Sequence, residues 1–287
     1  MDKGYRWGVA AVLLAALCAS SAGLIVRHIE AADAWQILFY RALAFTGMLF
    51  LMVVLRHGRT TASAFRAIGW PGLVMAVALG SAFIGFIFAL TLTTVANTVF
   101  ILGVSPLAAA LLSRMVLGER ITATTLAAMI GALIGVALMV GDSLGSGNLS
   151  GNVAALIACL GYAVAIVALR AGRAVDMMPA TCLSGAFALL VCGLMVGSIA
   201  IPTNDILLAL LLGTGQLGAQ YALITYASRF VPAGQIALIM LLEVLVAPLW
   251  VWLAVGEVPA DMTLLGGFVV LAALLLQMVG STRRVPA

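Results

Sequence analysis

The feature that most constrains this chain is a succession of apolar stretches, each about as long as a lipid bilayer is thick. A helix that crosses a bilayer needs about 20 mostly apolar residues, and ten such stretches follow one another with short connections. Hydrophobic residues make up 64% of the 287-residue chain and charged residues 8%, outside the range of soluble globular proteins. The pattern predicts an all-α polytopic membrane protein. The predicted spans cover approximately residues 7–26, 34–55, 70–90, 95–117, 121–140, 151–169, 178–201, 205–227, 233–255 and 262–280.

The basic residues indicate how these spans are oriented. If the N-terminus is cytoplasmic, 12 of the 14 Lys and Arg residues fall on the cytoplasmic side, whereas Arg27 lies outside and Arg41 lies within the second span. The positive-inside rule therefore predicts a multi-pass protein of a bacterial cytoplasmic (inner) membrane with both termini in the cytoplasm. The net charge of +4 is spread over short loops and forms no patch, so we expect the lipid bilayer rather than nucleic acid as a partner. The cytoplasmic set is Lys3, Arg6, Arg56, Arg59, Arg66, Arg114, Arg120, Arg170, Arg173, Arg229, Arg283 and Arg284.

The chain also repeats itself. Residues 8–27 align with residues 151–170, and the Gly118-Glu119 pair that ends the fourth span recurs as Gly256-Glu257 after the ninth. We therefore predict two halves, residues 1–145 and 146–287, with five helices each. Because five is odd, the second half is inverted relative to the first, and such inverted repeats support alternating access to a central site.

Glu243 is the carboxylate that most needs an explanation, since it lies near the middle of the apolar stretch 231–257. An ionisable group at that depth costs several kcal/mol unless it has a partner, a proton or a water-filled cavity. We interpret Glu243 as part of a transport pathway and as the candidate for proton coupling. The alternative is that it is protonated, packs against polar neighbours such as Gln216, and only joins helices.

Other residues at membrane depth are candidates for the same site. Gln216 and Gln220 are one helical turn apart, and aromatic rings suit an apolar or aromatic ligand. Pro106 and Pro248 remove helical hydrogen bonds and are candidate hinges, with static kinks as the alternative. We expect Arg41 to form a structural ion pair or to reach the outer interface rather than to contact substrate. The predicted substrate-binding residues are Ser20, Phe83, Phe86, Asn97, Ser105, Tyr162, Gln216, Gln220, Tyr221 and Glu243.

Several of these residues carry a resemblance to a known family. They are Phe39-Tyr40-Arg41, Ser105-Pro106 followed by Leu117-Gly118-Glu119, and Leu242-Glu243 followed by Gly256-Glu257. The chain resembles the EamA-type exporters of the drug/metabolite transporter superfamily, and within them the ten-helix aromatic amino acid exporters of the YddG kind. One departure is that Val244 follows Glu243 where that family commonly has proline.

The resemblance and the residues together favour a secondary transporter that exports small metabolites, most simply aromatic or neutral amino acids, by alternating access. The alternatives are a multidrug or hydrophobic-cation exporter of the same superfamily and, in a different class, an intramembrane enzyme. The two histidines, His28 and His57, lie beside loop charges, and the sequence has no metal-binding or phosphate-binding pattern, so we predict no catalytic residues, no metal and no cofactor. The GxxxG pairs 131/135 and 193/197 indicate helix packing within a monomer, with dimerisation as the alternative.

The predicted orientation can be tested by labelling. A single cysteine at position 204 should react with an impermeant thiol reagent added from outside, because that connection is predicted to be external. A cysteine at Ser63 should not react, because it lies in the basic 56–66 segment that is held inside. The reverse labelling pattern in intact cells would overturn the orientation.

Overall fold

A computed structural model describes residues 3–118, 121, 123–143 and 149–282, and every regular element in this part of the chain is a helix. In the first half the helices are Lys3–Ser20 (α1), Ala22–Arg27 (α2), Ala34–His57 (α3), Thr61–Ala67 (α4), Gly69–Leu92 (α5), Val95–Gly103 (α6), Ser105–Leu117 (α7) and Ala123–Ser143 (α8). In the second half they are Leu149–Ala171 (α9), Met178–Met195 (α10), Thr203–Leu211 (α11), Ala219–Ala227 (α12), Ala233–Met240 (α13), Leu242–Val255 (α14) and Asp261–Thr282 (α15). A short 3₁₀ helix, Gly58–Thr60, precedes α4, and a π-helix, Leu212–Gly218, joins α11 to α12.

The predicted all-α membrane class is confirmed. Seven helices in the described part of the chain are long and apolar enough to cross a membrane, and three shorter apolar helices, Ala123–Met139, Leu242–Val255 and Asp261–Leu276, accompany them. Large apolar side chains point away from the bundle; Trp70 and Leu55, for example, are about three-quarters exposed. Large exposed apolar surfaces are rare on soluble monomers and suit contact with lipid.

Two predicted spans are interrupted near their middle. Val104 separates α6 from α7, and Leu241 separates α13 from α14. Moving Leu241 back by the 138 residues that separate Gly118 from Gly256 gives position 103, so the interruptions nearly coincide in the repeat. Pro106 follows the first interruption by two residues, whereas Pro248 lies inside α14, seven residues after the second.

The ends of these two spans also share a backbone conformation. Gly118 terminates α7 with φ of 70°, and Gly256 terminates α14 with φ of 73°. Both are left-handed, the conformation that glycine adopts without a steric penalty and that commonly ends a helix. The repeated Gly-Glu pair therefore encodes the same helix end in each half. Glu119, its acidic residue in the first half, lies outside the described residues.

The packing of the helices follows the repeat. α5 packs along α9, and its counterpart α12 packs against α1. Two further main contacts join equivalent helices, α3 with α10 and α8 with α15, and the contact of α5 with α10 has its counterpart in that of α3 with α11 and the π-helix. Exchange of the two halves therefore maps the main helix contacts onto one another.

Glycine lets α8 and α15 approach closely, as predicted for Gly135. A Cβ added to Gly135 would lie 2.6 Å from the carbonyl oxygen of Gly266, and one added to Gly266 would lie 2.5 Å from that of Gly135. The same prediction is wrong for Gly193 and Gly197. A Cβ at Gly197 would meet no atom within 4 Å, and one at Gly193 only a phenylalanine ring carbon at 3.9 Å.

The predicted span 178–201 is also too long, because α10 ends at Met195. Polar side chains of α3 stabilise the non-helical segment that follows. The side-chain amide of Gln36 donates to the carbonyl oxygen of Ser198 at 2.9 Å, and the Tyr40 hydroxyl donates to that of Ile199 at 2.7 Å. Pro202 also disfavours the helical conformation at the residue before it.

The close contact between α8 and α15 leads to a stability prediction. Gly266→Ala should lower the free energy of unfolding by about 1–3 kcal/mol, since its methyl group would overlap the backbone of Gly135 and force the helices apart. Gly47→Ala is the matched control, because a Cβ there meets nothing within 4 Å. Thermal melting of the purified variants in detergent measures both effects. A Gly266→Ala protein that melts like the control would contradict the packing.

Candidate functional site

A cavity of about 190 Å³ lies where the irregular helices meet. Its walls combine apolar side chains with two charged residues and several neutral polar ones. The lining residues are Arg41, Phe86, Val99, Leu102, Gly103, Ser105, Tyr162, Gln216, Leu217, Gln220, Glu243 and Val244.

The backbone irregularities supply much of this lining. Gly103 and Ser105 flank the interruption at Val104, whereas Glu243 and Val244 follow the one at Leu241. Gln216 and Leu217 belong to the π-helix. Substrate sites of many carriers lie where discontinuous helices of two repeats meet, and π-helical segments are frequent at functional sites. The cavity has both features.

The two prolines act on the same place. Proline has no N–H group, so the carbonyl four residues earlier loses its usual helical partner. For Pro106 and Pro248 these carbonyls belong to Leu102 and Val244, which both line the cavity. The candidate hinges are therefore linked to the cavity wall, although neither proline ring lines it.

Arg41 and Glu243 place opposite charges on one cavity. No ion pair within 4.0 Å joins them in the part of the chain that the structure describes. Glu243 is half-buried, and no hydrogen bond to Gln216 is present among the described residues. Within the described parts of the chain, each of the two residues therefore lines the cavity without a direct counter-ion.

The expectation for Arg41 was wrong. Its side chain is 2% exposed, so it does not reach an interface, and no carboxylate lies within 4.0 Å of it among the described residues. Its Nη2 donates to the Gln216 side-chain oxygen at 3.4 Å, and its Cζ lies 5.5 Å and 5.6 Å from the ring centres of Phe83 and Phe86. A signal was present in the sequence, since Arg41 and Glu243 are the cation and the carboxylate placed well inside predicted spans.

Six of the ten predicted binding residues share the cavity with Arg41. They are Phe86, Ser105, Tyr162, Gln216, Gln220 and Glu243. Sequence reasoning missed Arg41 and the apolar walls formed by Val99, Leu102, Leu217 and Val244.

The structure does not bring the other four residues to the cavity. Ser20 is fully buried and accepts a hydrogen bond from the Trp250 indole at 3.1 Å. Asn97 is 3% exposed and is hydrogen-bonded to Thr263 and other polar side chains. Phe83 packs beneath the Arg41 guanidinium, and Tyr221 lines a separate cavity of about 300 Å³.

A polar cluster joins helix ends on the side predicted to face outward. The Nε of Arg27 lies 2.6 Å from Glu257 Oε2, and the same guanidinium donates to the carbonyl oxygens of Leu90 and Thr93. The other Glu257 oxygen accepts from the backbone N–H of Val95 at 2.8 Å. α6 runs from this cluster to the cavity, and α14 runs from the cavity back towards it. The cluster therefore joins α6 and α14 at the ends that lie away from the cavity.

Helices of membrane length that surround a polar cavity at broken helices define a polytopic membrane protein built like a carrier. The EamA-like transporter family matches residues 6–141 and again residues 149–279, and the chain belongs to this family. Members of the family are transporters rather than enzymes, and the protein is accordingly a multi-pass membrane transporter.

Comparison with solved structures agrees on the fold. Seventeen solved chains match, and one of them, described as "Crystal structure of protein", has a TM-score of 0.63 and 20% identity over 96% of this chain and 98% of that chain. At this level of identity the likeness shows the fold alone. No curated protein matches the chain significantly.

The polar cluster of Arg27, Glu257 and their backbone partners, here called the outer cluster after the side it is predicted to face, is expected to limit access to the cavity. In a variant without native cysteines, a cysteine at Ser105 should react with an impermeant reagent added from outside several-fold faster after Glu257→Gln. The amide cannot form the ion pair with Arg27, so the outer ends of α6 and α14 separate more often. Arg56→Gln, which breaks an exposed pair with Asp176 near the other end of the bundle, is the control and should leave the rate unchanged. Equal rates in all three proteins would show that the cluster does not control access.

Proposed function

We propose that the protein exports small zwitterionic metabolites, most simply neutral or aromatic amino acids, across the cytoplasmic membrane by alternating access. The observation that carries this proposal is the cavity on which Arg41 and Glu243 present opposite charges beside apolar walls. An amino acid has both charges and an apolar side chain. Within its family, the narrower likeness to the aromatic amino acid exporters of the YddG kind is part of the same proposal.

Alternating access requires a structure whose two halves can exchange conformations. We propose ten membrane spans, with the three shorter apolar helices crossing as well, in two inverted halves at residues 1–145 and 146–287. The matching helix ends at Gly118 and Gly256, the near-coincident interruptions and the exchangeable helix contacts support this arrangement. In the proposed orientation both termini are cytoplasmic, and the bundle acts as a monomer in a bacterial inner membrane.

Two properties of the cavity favour amino acids over hydrophobic cations. A cationic drug that enters would meet the Arg41 guanidinium, and like charges in a poorly solvated site repel each other. The cavity volume of about 190 Å³ is also smaller than the roughly 300–1,000 Å³ typical of pockets for drug-sized ligands. A multidrug exporter therefore remains the second candidate, favoured only by the superfamily.

Glu243 offers a route to energy coupling. A carboxylate on the cavity can hold either a proton or the ammonium group of a substrate, and exclusive binding of the two couples outward substrate movement to inward proton movement. Pro106 and Pro248 are the proposed hinges of the interrupted spans that carry this movement. Any uphill export would then be driven by the proton gradient.

Counterflow in proteoliposomes tests the substrate class. Vesicles loaded with an unlabelled neutral amino acid should accumulate the labelled form of it, whereas vesicles loaded with a hydrophobic cation should not accumulate the labelled cation. Protein-free vesicles control for leakage. Exchange of the cations alone would replace the amino acid proposal with the multidrug one.

A second experiment addresses coupling. Glu243→Gln should remove the response of transport to an imposed pH step, because the amide neither takes up nor releases a proton. Exchange without a gradient should persist at a reduced rate. The measurement is substrate flux through wild type and variant with and without the step. If wild type ignores the step, or the variant responds equally, Glu243 only joins helices or the coupling group lies elsewhere.

A further inference from the structure

We infer that Arg41 binds the carboxylate of the substrate and thereby makes the cavity selective for free amino acids over their amides and amines. The inference rests on the proposed function and adds a specificity-determining residue to it. The observation behind it is a buried guanidinium that borders the cavity and has no carboxylate within 4.0 Å among the residues that the structure describes.

Burial without an anion is costly for arginine. The guanidinium stays charged in proteins and carries five N–H donors. Arg41 makes one hydrogen bond among the described residues, the 3.4 Å contact with Gln216, and its buried Nε has no partner there. Charges removed from water are normally paired or hydrogen-bonded throughout. A carboxylate that enters the cavity, which Arg41 lines, would supply the acceptor that the guanidinium lacks among the described residues.

The surroundings hold the guanidinium in place for such an acceptor. The ring centres of Phe83 and Phe86 lie 5.5 Å and 5.6 Å from its Cζ, close enough for cation–π attraction. Gln216 contacts it from the π-helix. A fixed, planar guanidinium can bind both oxygens of a carboxylate at once, which a flexible ammonium group cannot do as well.

The second charge defines the rest of the ligand. When Glu243 has released its proton, Arg41 and Glu243 together contribute no net charge to the cavity, and a zwitterion keeps that balance while it neutralises each group locally. An amide or amine adds an ammonium group without the carboxylate and leaves Arg41 unpaired. A carboxylate without an ammonium group instead meets an unpaired Glu243. The arrangement selects molecules that carry both groups.

The test measures selectivity as a ratio. Counterflow of labelled L-phenylalanine into proteoliposomes that contain the full chain is inhibited with L-phenylalanine, L-phenylalaninamide, phenethylamine or N-acetyl-L-phenylalanine. In wild type the free amino acid should inhibit at least about tenfold more strongly than each analogue, which corresponds to about 1.4 kcal/mol. The leucine series serves in the same way if leucine is the better-exchanged amino acid.

Variants then assign this selectivity to Arg41. Arg41→Gln should lower the apparent affinity for the free amino acid about tenfold or more and leave that for the amide within about threefold, so the ratio collapses towards one. Arg41→Lys retains a positive charge and should recover part of the ratio. Arg56→Gln removes an arginine that borders a different cavity and should keep the wild-type ratio. Ligand-induced shifts in melting temperature provide a readout that does not depend on transport.

The outcomes separate the inference from the proposed function. If wild type exchanges amino acids but accepts the amide as well as the acid, or if Arg41→Gln keeps the wild-type ratio, Arg41 does not bind the carboxylate and the proposed function stands. If wild type exchanges hydrophobic cations and no amino acid, the proposed function fails and the inference fails with it. If Arg41→Gln does not fold, the wild-type ratio and the Arg41→Lys variant still decide the question.

Discussion

The constraint on which the rest of this structure depends is that backbone polar groups within a membrane must be satisfied by the protein itself. Regular helices meet it but leave no backbone group for a ligand, so backbone groups can contribute to a polar site only where the helices are irregular. The interruptions at Val104 and Leu241 are satisfied locally, since Leu107 donates to the Val104 carbonyl at 2.9 Å and Val244 to that of Leu241 at 3.1 Å. Both open onto the cavity, as does the π-helix. The cavity therefore lies where the bundle can tolerate a polar site.

The surroundings of Arg41 depend on one of these irregular segments, the π-helix. Gly213, at the start of the π-helix, packs against the backbone of Arg41, and a Cβ there would overlap the Arg41 carbonyl oxygen. This close approach accompanies the contact of Gln216 with the guanidinium, and Gln220, one turn later in α12, also lines the cavity. Gly213 thus lets α3 and the π-helix pack closely, and Arg41 from the one and Gln216 from the other line the same cavity.

The sequence predicted the membrane class, the repeat, and Glu243 with five other residues of the cavity, because these depend on local properties such as apolar length, repeated Gly-Glu pairs and polar residues at membrane depth. It did not predict what depends on tertiary pairing. Asn97 looked like a binding residue, yet the nearby Thr93 together with Asn152 and Thr263 from other helices satisfies its side chain. Arg41 looked structural because its lack of a carboxylate partner among the described residues is visible only in three dimensions. The π-helix was missed because residues 212–218 were read as part of one regular span, and their sequence carries no signal that separates a π-helix from an α-helix.

The outer cluster uses the repeated helix end at Gly256 to join several helices. Gly256 ends α14 and directs Glu257 to the N-terminus of α6, where a carboxylate is favoured, and Arg27 donates to carbonyls at the end of α5, where a cation is favoured. The ion pair thus satisfies terminal groups of two helices while it joins them to α2. In the proposed alternating access these ends would separate, and water could then hydrogen-bond to the exposed N–H and carbonyl groups. A polar contact of this kind has a replacement in water when it breaks, whereas a buried apolar contact of similar extent has none.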